Sequence, residues 1–258
     1  MIYGCIGRLA LTIALAGCAS PIAAGEATLP TDANLITAID VSGSIGPQAE
    51  ALEFDGIAQA LLHPAFLETV AGGYHGRIGF AAFTWSSQGD FVTLVSWTLI
   101  DSEAAAGEVA SRLHAALGKP RLGYATPSFG SARQAWRRNL ATDISAAVEH
   151  ATRLLANAPY AATREIINIL ANGTDNIADG PAAARDRALA RGVVINGLSL
   201  GDDPEVAAYL RAHVQGGSGS FVLEARRPVD IASAMRRKFL LDLVGPLPDS
   251  ILPTAGST

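Results

Sequence analysis

Short runs of branched apolar residues alternate along this chain with longer segments whose apolar residues recur at helical spacing. The runs predict strands at residues 35–39, 77–84, 91–98, 165–170, 193–200 and 220–224. The longer segments predict helices at residues 47–62, 102–117, 143–156, 181–191, 204–214 and 228–243. Strands that alternate with helices favour a doubly wound sheet, which binds ligands outside the carboxyl ends of its strands.

One pair of predicted strands differs from the rest. Residues 77–84 and 91–98 are separated by only six residues, which include Gly89 and Asp90. A connection this short joins antiparallel neighbours, whereas parallel strands need a long crossover. We therefore predict an α/β fold with a Rossmann-like, mostly parallel six-stranded sheet that contains one antiparallel strand.

Composition is consistent with one large domain. The 258 residues are 49% hydrophobic and 17% charged, so the chain can bury a sizeable core and disorder is not expected. The formal net charge of −5 argues against a general nucleic-acid binder. No apolar run reaches the length of a membrane-spanning helix. We place the domain at residues 32–244, followed by a flexible proline-containing tail at 245–258.

The amino terminus is typical of an export signal. Arg8 precedes the apolar residues 9–16, so residues 1–24 are predicted to be a signal peptide. Leu15-Ala16-Gly17-Cys18 resembles the lipobox of bacterial lipoproteins, in which the cysteine is lipidated. The alternative is ordinary cleavage near Ala19 or Ala24, which gives a soluble exported protein. We expect a periplasmic or cell-envelope protein that is lipid-anchored through Cys18.

The first predicted strand ends in a cluster of oxygen-bearing side chains. Asp40, Ser42 and Ser44 alternate in Asp40-Val41-Ser42-Gly43-Ser44, ahead of a helix that begins at Pro47. One carboxylate and two hydroxyls are hard oxygen ligands of the kind that Mg2+, Mn2+ and Ca2+ prefer. The same residue types are also common helix caps, which is the structural alternative.

The D-x-S-x-S spacing resembles the metal-ion-dependent adhesion site (MIDAS) of von Willebrand factor A-type (vWA) domains. That resemblance implies a second loop with a threonine before a helix, which Thr142 matches, and a third loop after the 165–170 strand. The structural alternative for Thr142 is the N-cap of the helix that follows. The implied metal ligands are Asp40, Ser42, Ser44, Thr142 and Asn172.

The third loop departs from the vWA pattern. The family normally has aspartate in a D-G pair, whereas this chain has Asn172-Gly173. Asp40 is then the only carboxylate of the site, unless Asp175 turns toward it. An asparagine can still offer a carbonyl oxygen or hold a water ligand, so we expect a weakly bound Mg2+, Mn2+ or Ca2+.

Further segments resemble a bacterial vWA branch of unknown function. They are Phe83-Thr84-Trp85 with Gln88, residues 96–101, 195–198 and 216–221, and Arg237-Lys238. The resemblance extends over residues 32–243 and implies a non-enzymatic protein-binding or adhesion domain, whose partner supplies an acidic side chain to the metal. The alternative is a vWA fold without metal that binds its partner by surface shape.

A hydrolase is the remaining alternative. Ser42-Gly43-Ser44-Ile45-Gly46 is close to the G-x-S-x-G nucleophile motif but has serine in place of the first glycine. None of the five histidines falls in a loop after a late strand, where a triad histidine is expected. We therefore predict no catalytic residue.

Residues 118–139 form a basic segment that leads directly into Thr142. The segment contains Lys119, Arg121, Arg133, Arg137 and Arg138 and no acidic residue. We predict that Arg133, Arg137 and Arg138 contact an acidic partner, and the alternative is a solvated helical turn without a partner.

Overall fold

The computed structural model describes residues 28–42, 47–87, 89–117, 141–177 and 179–245. The strands are β1 Leu29–Thr31, β2 Ala33–Asp40, β3 Ile78–Trp85, β4 Phe91–Ile100, β5 Tyr160–Ala162, β6 Glu165–Ala171, β7 Val194–Leu200 and β8 Val222–Ala225. The α-helices are α1 Pro47–Leu61, α2 Pro64–Ala71, α3 Glu103–Ala116, α4 Ile144–Ala156, α5 Ala182–Leu189, α6 Pro204–Tyr209 and α7 Ile231–Val244.

Six of these strands form one sheet, and its topology confirms the predicted fold class. The strand order is β4-β3-β2-β6-β7-β8. Every neighbouring pair is parallel except β3 and β4, which are antiparallel as the short connection predicts. The carboxyl ends of the parallel strands therefore meet at one edge of the sheet, where ligands bind in this class of fold.

Helices cover both faces of the sheet. Along β2, Leu35 and Ile39 pack into a core with α1, α2, α3 and α7. Ile36 and Ala38 belong to the opposite core, with α4, α5 and α6. All eight residues of β2 are buried because the strand lies in the middle of a sheet covered on both sides.

Three differences between the described elements and the sequence predictions concern helices. Helix α2, Pro64–Ala71, was not predicted. The predicted helix at 204–214 is α6 followed by a π-helical turn, Leu210–Val214. The predicted helix at 228–243 begins as a 3-10 turn, Pro228–Asp230, before α7 starts.

A small second sheet was also not predicted. Strands β1 and β5 pair in parallel over three residues, from Leu29 opposite Tyr160 to Thr31 opposite Ala162. A three-residue strand is too short for hydrophobic alternation to reveal it, and its partner is far away in sequence.

A buried network of polar side chains connects α7 to the sheet. Lys238 and Asp242 of α7 are both fully buried, and Lys238 Nζ lies 3.3 Å from Asp242 Oδ1. Lys238 also donates to Asn168 Oδ1, and the side-chain amides of Asn168 and Asn196 donate to Asp242 at 2.7 and 2.8 Å. Burial lowers the pKa of Lys238 to about 8, although Asp242 acts in the opposite direction.

Several predicted features lie outside the described residues: the signal peptide at 1–24 with Cys18, the basic segment with Arg133, Arg137 and Arg138, and the tail after Gly245. Among the helices that the structure describes, none is both long enough and apolar enough to cross a membrane.

Candidate metal centre

The candidate site begins with two neighbouring strand ends. Strands β2 and β6 are parallel and adjacent, with Ile39 opposite Leu170. Asp40 is the last residue of β2, and Asn172 directly follows the end of β6. Adjacent parallel strands that end at the same level bring residues more than a hundred positions apart in sequence to one edge of the sheet.

The loop that contains Thr142 is hydrogen-bonded to the loop after β3 and to the loop after β6. On one side, the backbone N–H of Asp143 donates to the carbonyl of Ser86, just after β3, at 3.0 Å. On the other side, Thr142 N–H donates to Asn176 Oδ1 at 2.9 Å. Asn176 N–H in turn donates to the carbonyl of Thr142 at 3.1 Å. The position of Thr142 is therefore set by reciprocal hydrogen bonds with the loop after β6.

These contacts bring three of the predicted ligands together. The Thr142 hydroxyl donates to Ser42 Oγ at 3.3 Å, and Ser42 N–H donates to Asp40 Oδ1 at 2.8 Å. All three side chains are buried. A fourth predicted ligand, Ser44, lies in the same loop as Ser42 but within residues 43–46, outside the described part of the chain.

Asp40 has an unsatisfied oxygen. The residue is 0% exposed, and its Oδ2 has no hydrogen-bond partner among the described residues. Burial raises the pKa of Asp40 to about 6, against the opposing effects of the Ser42 N–H and hydroxyl and the Asn172 N–H. A buried carboxylate oxygen without a donor is costly for the fold, and a cation at this position would offset that cost.

The third loop contributes no second carboxylate to the described site. Asn172 is half-buried beside Asp40, and its backbone N–H lowers the pKa of that carboxyl. Asp175 accepts from Ser145 N–H at 3.1 Å through Oδ2 and from Ile177 N–H at 2.9 Å through Oδ1. Its carboxylate is thus engaged by backbone donors. No group of three or more His, Cys, Asp or Glu side chains that could hold a metal occurs within the described residues.

The N-cap of α4 is Asp143, not Thr142. Asp143 Oδ1 accepts from Ala146 N–H at 2.8 Å. Burial raises the pKa of Asp143, and the negative charges of Asp175 and Glu149 add to this effect, while the Ala146 N–H opposes it. The capping alternative for Thr142 is therefore wrong, and its hydroxyl is directed to Ser42 instead.

Sequence reasoning missed the residues that position the site, Asn176 and Asp175. Both lie in the polar segment Asn172-Gly173-Thr174-Asp175-Asn176, whose residue types often bond to nearby backbone groups in turns. That signal predicts a turn, but it does not say that the donors belong to α4, about thirty residues earlier in the chain.

The histidines make contacts away from Ser42. Within the described residues, contacts are formed with Ala65 N–H by His63, Tyr74 by His75, Asp55 by His114, Phe91 by His150 and Tyr209 by His213. None of these contacts forms the serine–histidine pair that a hydrolase needs.

Solved structures of similar fold include several vWA domains. Proximal thread matrix protein 1 from the mussel byssus superposes with a TM-score of 0.57 and 14% identity, over 83% of this chain and 48% of that chain. The vWF domain of the type V pili tip protein Mfa5 from Porphyromonas gingivalis gives 0.55 and 12%, over 86% and 99% of the two chains. This chain thus spans about half the length of the mussel protein.

One further structure of the mussel protein is described with a zinc-occupied MIDAS motif, at a TM-score of 0.52 and 14% identity, over 83% of this chain and 48% of that one. At these identities the likeness concerns the fold. No curated protein sequence matches the chain. The profile of one family, described as "Protein of unknown function (DUF1194)", matches residues 30–132 and 128–247. The chain therefore belongs to the DUF1194 family and has a vWA-like fold.

Proposed function

We propose that this protein is an exported, non-enzymatic binding domain that uses a divalent cation to hold an acidic group of a protein partner. The observation that carries the proposal is the buried Asp40 Oδ2, which has no hydrogen-bond donor among the described residues. The hydroxyls of Ser42 and Thr142 lie 3.3 Å apart in the same buried cluster. This donor set of oxygens suits Mg2+, Mn2+ or Ca2+.

Asp40, Ser42, Ser44, Thr142 and Asn172 would hold the cation, within a domain at residues 32–244. The bound ion would supply a positive centre for a carboxylate of the partner. Asp40 contributes the only formal negative charge of this set, because Asp175 is engaged by backbone N–H groups. The ion would then keep an uncompensated charge, and the partner's carboxylate would strengthen its binding. By linkage, the cation would strengthen partner binding to the same extent.

A second candidate is a vWA-like domain that binds its partner without metal. The direct hydrogen bond between the Thr142 and Ser42 hydroxyls supports it, because these groups partly satisfy each other without an ion. Asn172 in place of a carboxylate points in the same direction. The two candidates differ in one measurable property, the cation dependence of binding.

Calorimetric Mg2+ titration of the wild type, Asn172→Asp and Asp40→Ala tests the cation. At an effective dielectric constant near 20, a carboxylate about 4 Å from a unit positive charge contributes roughly 4 kcal/mol before desolvation. Desolvation reduces this to about 1–2 kcal/mol, so we expect Asn172→Asp to bind Mg2+ roughly ten-fold more tightly. Asp40→Ala should lose binding.

Ser111→Asp is the matched control, because it adds the same charge on the exposed side of α3. It should leave Mg2+ affinity unchanged. Equal affinity in the wild type, Asn172→Asp and Asp40→Ala would mean that no ion binds here, and the metal-free candidate would replace this one.

Export and anchoring form a separate part of the proposal. We infer that Cys18 is lipidated, since it ends the lipobox-like Leu15-Ala16-Gly17-Cys18. Mass spectrometry of the mature amino terminus should find a lipid-modified cysteine as the first residue. An unmodified start at Ser20 or Gly25 would instead indicate a soluble exported protein.

The basic residues Arg133, Arg137 and Arg138 are proposed to steer the acidic partner toward Thr142. Association should then slow as salt rises, because screening weakens long-range attraction. Charge reversal at Arg137 and Arg138 should remove most of that salt dependence. An unchanged affinity and salt dependence would assign the segment no role in binding.

A further inference from the structure

A groove lies between β8 and α7, at the end of the sheet opposite to β4. Its volume is about 480 Å³. Leu223 of β8 and Ala234 and Leu240 of α7 give it apolar walls. Glu224 and Asp230 also line it, so the charge of the groove depends on how these two carboxylates are paired.

Both carboxylates are already neutralised by arginines. Glu224 Oε1 lies 2.6 Å from Arg211 and Oε2 lies 3.0 Å from Arg226, and these contacts lower the pKa of Glu224. Asp230 Oδ1 lies 2.8 Å from Arg227. The negative charges of these two carboxylates are therefore balanced by three arginines. Two further arginines, Arg236 and Arg237, also line the groove.

Arg236 and Arg237 supply the excess charge. Both line the groove and are exposed, and neither forms a salt bridge or side-chain hydrogen bond with any residue that the structure describes. Ser233, Arg236, Arg237 and Leu240 follow a spacing of three and four residues on α7, so they share one side of the helix. The groove thus combines a cationic rim with an apolar wall, in a chain whose formal net charge is −5.

The groove also adjoins the edge of a sheet. Strand β8 is last in the strand order, so its outer backbone groups have no strand partner among the described residues. We propose that the groove binds an extended acidic segment of a partner protein, which lies along β8 with acidic side chains toward Arg236 and Arg237 and apolar ones against Leu223 and Leu240. Extended peptides commonly add to exposed sheet edges in this way, with alternate side chains read by adjacent pockets.

This binding does not require a cation. Strands β2 and β8 are three positions apart in the sheet, which corresponds to about 14 Å at the usual strand spacing. One partner could reach both regions, but the groove binds by its own charge and apolar surface. The inference therefore goes beyond the proposed cation site and stands if that site fails.

The test is fluorescence anisotropy with a labelled peptide that repeats Glu-Ser-Val-Ser, which places glutamate and valine on the same face of an extended strand. Binding is measured on the full chain in the presence of a chelator. The peptide should bind the wild type, and its affinity should fall as salt rises. The double variant Arg236→Glu/Arg237→Glu should weaken binding by at least about ten-fold, because like charges then face each other. The matched variant Arg153→Glu/Arg191→Glu changes the same charge at exposed sites that line a different groove, next to α4 and α5, and should bind like the wild type.

Hydrogen exchange on the wild type gives a readout that needs no variant. Bound peptide should slow exchange in residues 222–225, and a peptide that repeats Lys-Ser-Val-Ser should not. Equal loss of affinity in the two double variants, or protection confined to the loops of Asp40 and Asn172, would overturn the inference. So would protection of β8 by inorganic phosphate or anionic lipid vesicles but not by the acidic peptide, because the ligand would then be a phosphate group.

Discussion

Replacing Lys238 by methionine should destabilise the protein far more than any exposed charge substitution. Methionine has a similar length and fits an apolar environment, so the change removes the charge with little change in volume. It leaves the carboxylate of Asp242 fully buried, with the amides of Asn168 and Asn196 as its remaining side-chain donors. It also removes the donor to Asn168 Oδ1.

Two opposing contributions set the size of the effect. The fall of the Lys238 pKa from 10.5 to about 8 corresponds to a desolvation cost of roughly 3 kcal/mol that the attraction of Asp242 does not offset. The substitution removes this cost. The substitution also leaves a buried carboxylate without its counter-ion. Breaking buried pairs in this way costs about 3–5 kcal/mol, a measured range that already includes the relief. We therefore expect the free energy of unfolding to fall by about 3 kcal/mol.

Urea denaturation followed by circular dichroism at neutral pH measures the loss. Arg237→Met is the matched control, because the neighbouring side chain carries the same charge but is exposed. It should change stability by less than about 0.5 kcal/mol. The double variant Lys238→Met/Asp242→Asn should recover about half of the loss, since it removes the uncompensated charge and keeps one of the two acceptor oxygens for the asparagine amides.

Equal stability of Lys238→Met and Arg237→Met would contradict the expected loss. It would mean that the network contributes no more to the attachment of α7 than apolar contacts would. A double variant as unstable as Lys238→Met would refute a narrower point, namely that the unpaired carboxylate is the main source of the loss.

Three further predictions concern the buried side chains of Lys238, Asp40 and Asp143. Because the folded pKa of Lys238 lies below its unfolded value, its contribution to stability is present above pH 10.5 and is lost as pH falls through about 8. The wild type should therefore gain stability over Lys238→Met between about pH 7 and about pH 10 in urea titrations, and a constant difference would contradict this. The pKa of Asp40 is raised from 3.8 to about 6, so its contribution is present below pH 3.8 and lost as pH rises through about 6. In chelator at neutral pH, Asp40→Asn should be about 1–3 kcal/mol more stable than the wild type by thermal unfolding. Added Mg2+ should raise the Tm of the wild type only. A variant less stable than the wild type would mean that the Asp40 carboxylate stabilises the fold without a cation. Asp143→Ala should cost about 1 kcal/mol by removing the cap on α4, whereas Asp143→Asn keeps an acceptor and should cost a few tenths; equal losses would exclude the cap as the cause.

Much of the fold was predictable from local patterns. Buried parallel strands such as β2 are continuous apolar runs, and α4 has its apolar residues at helical spacing, so both are visible in a short window of sequence. The short connection between β3 and β4 predicted their antiparallel pairing. Element ends and the three-residue strands β1 and β5 depend on distant partners, so local patterns do not contain them.

The candidate site was predictable only in part. Asp40, Ser42 and Thr142 follow from motif and position, and the structure brings their side chains together. The capping roles of Asp143 and Asp175 were not predictable, because aspartates near a helix start and in a turn have the same local signature whether they bind a cation or a backbone N–H.

The amino-acid sequence was sufficient to predict the alternation of strands and helices, the cluster at the end of β2 and the absence of an aspartate at position 172. These depend on side-chain periodicity and residue type, which are local properties. Tertiary packing, by contrast, buries Lys238 with Asp242 and two asparagines from the sheet, while its neighbour Arg237 lines a surface groove. Arg237 and Lys238 are adjacent and both cationic, so a sequence pattern does not distinguish them. The packing of α7 against β6 and β7 places Lys238 in the core and Arg237 in solvent.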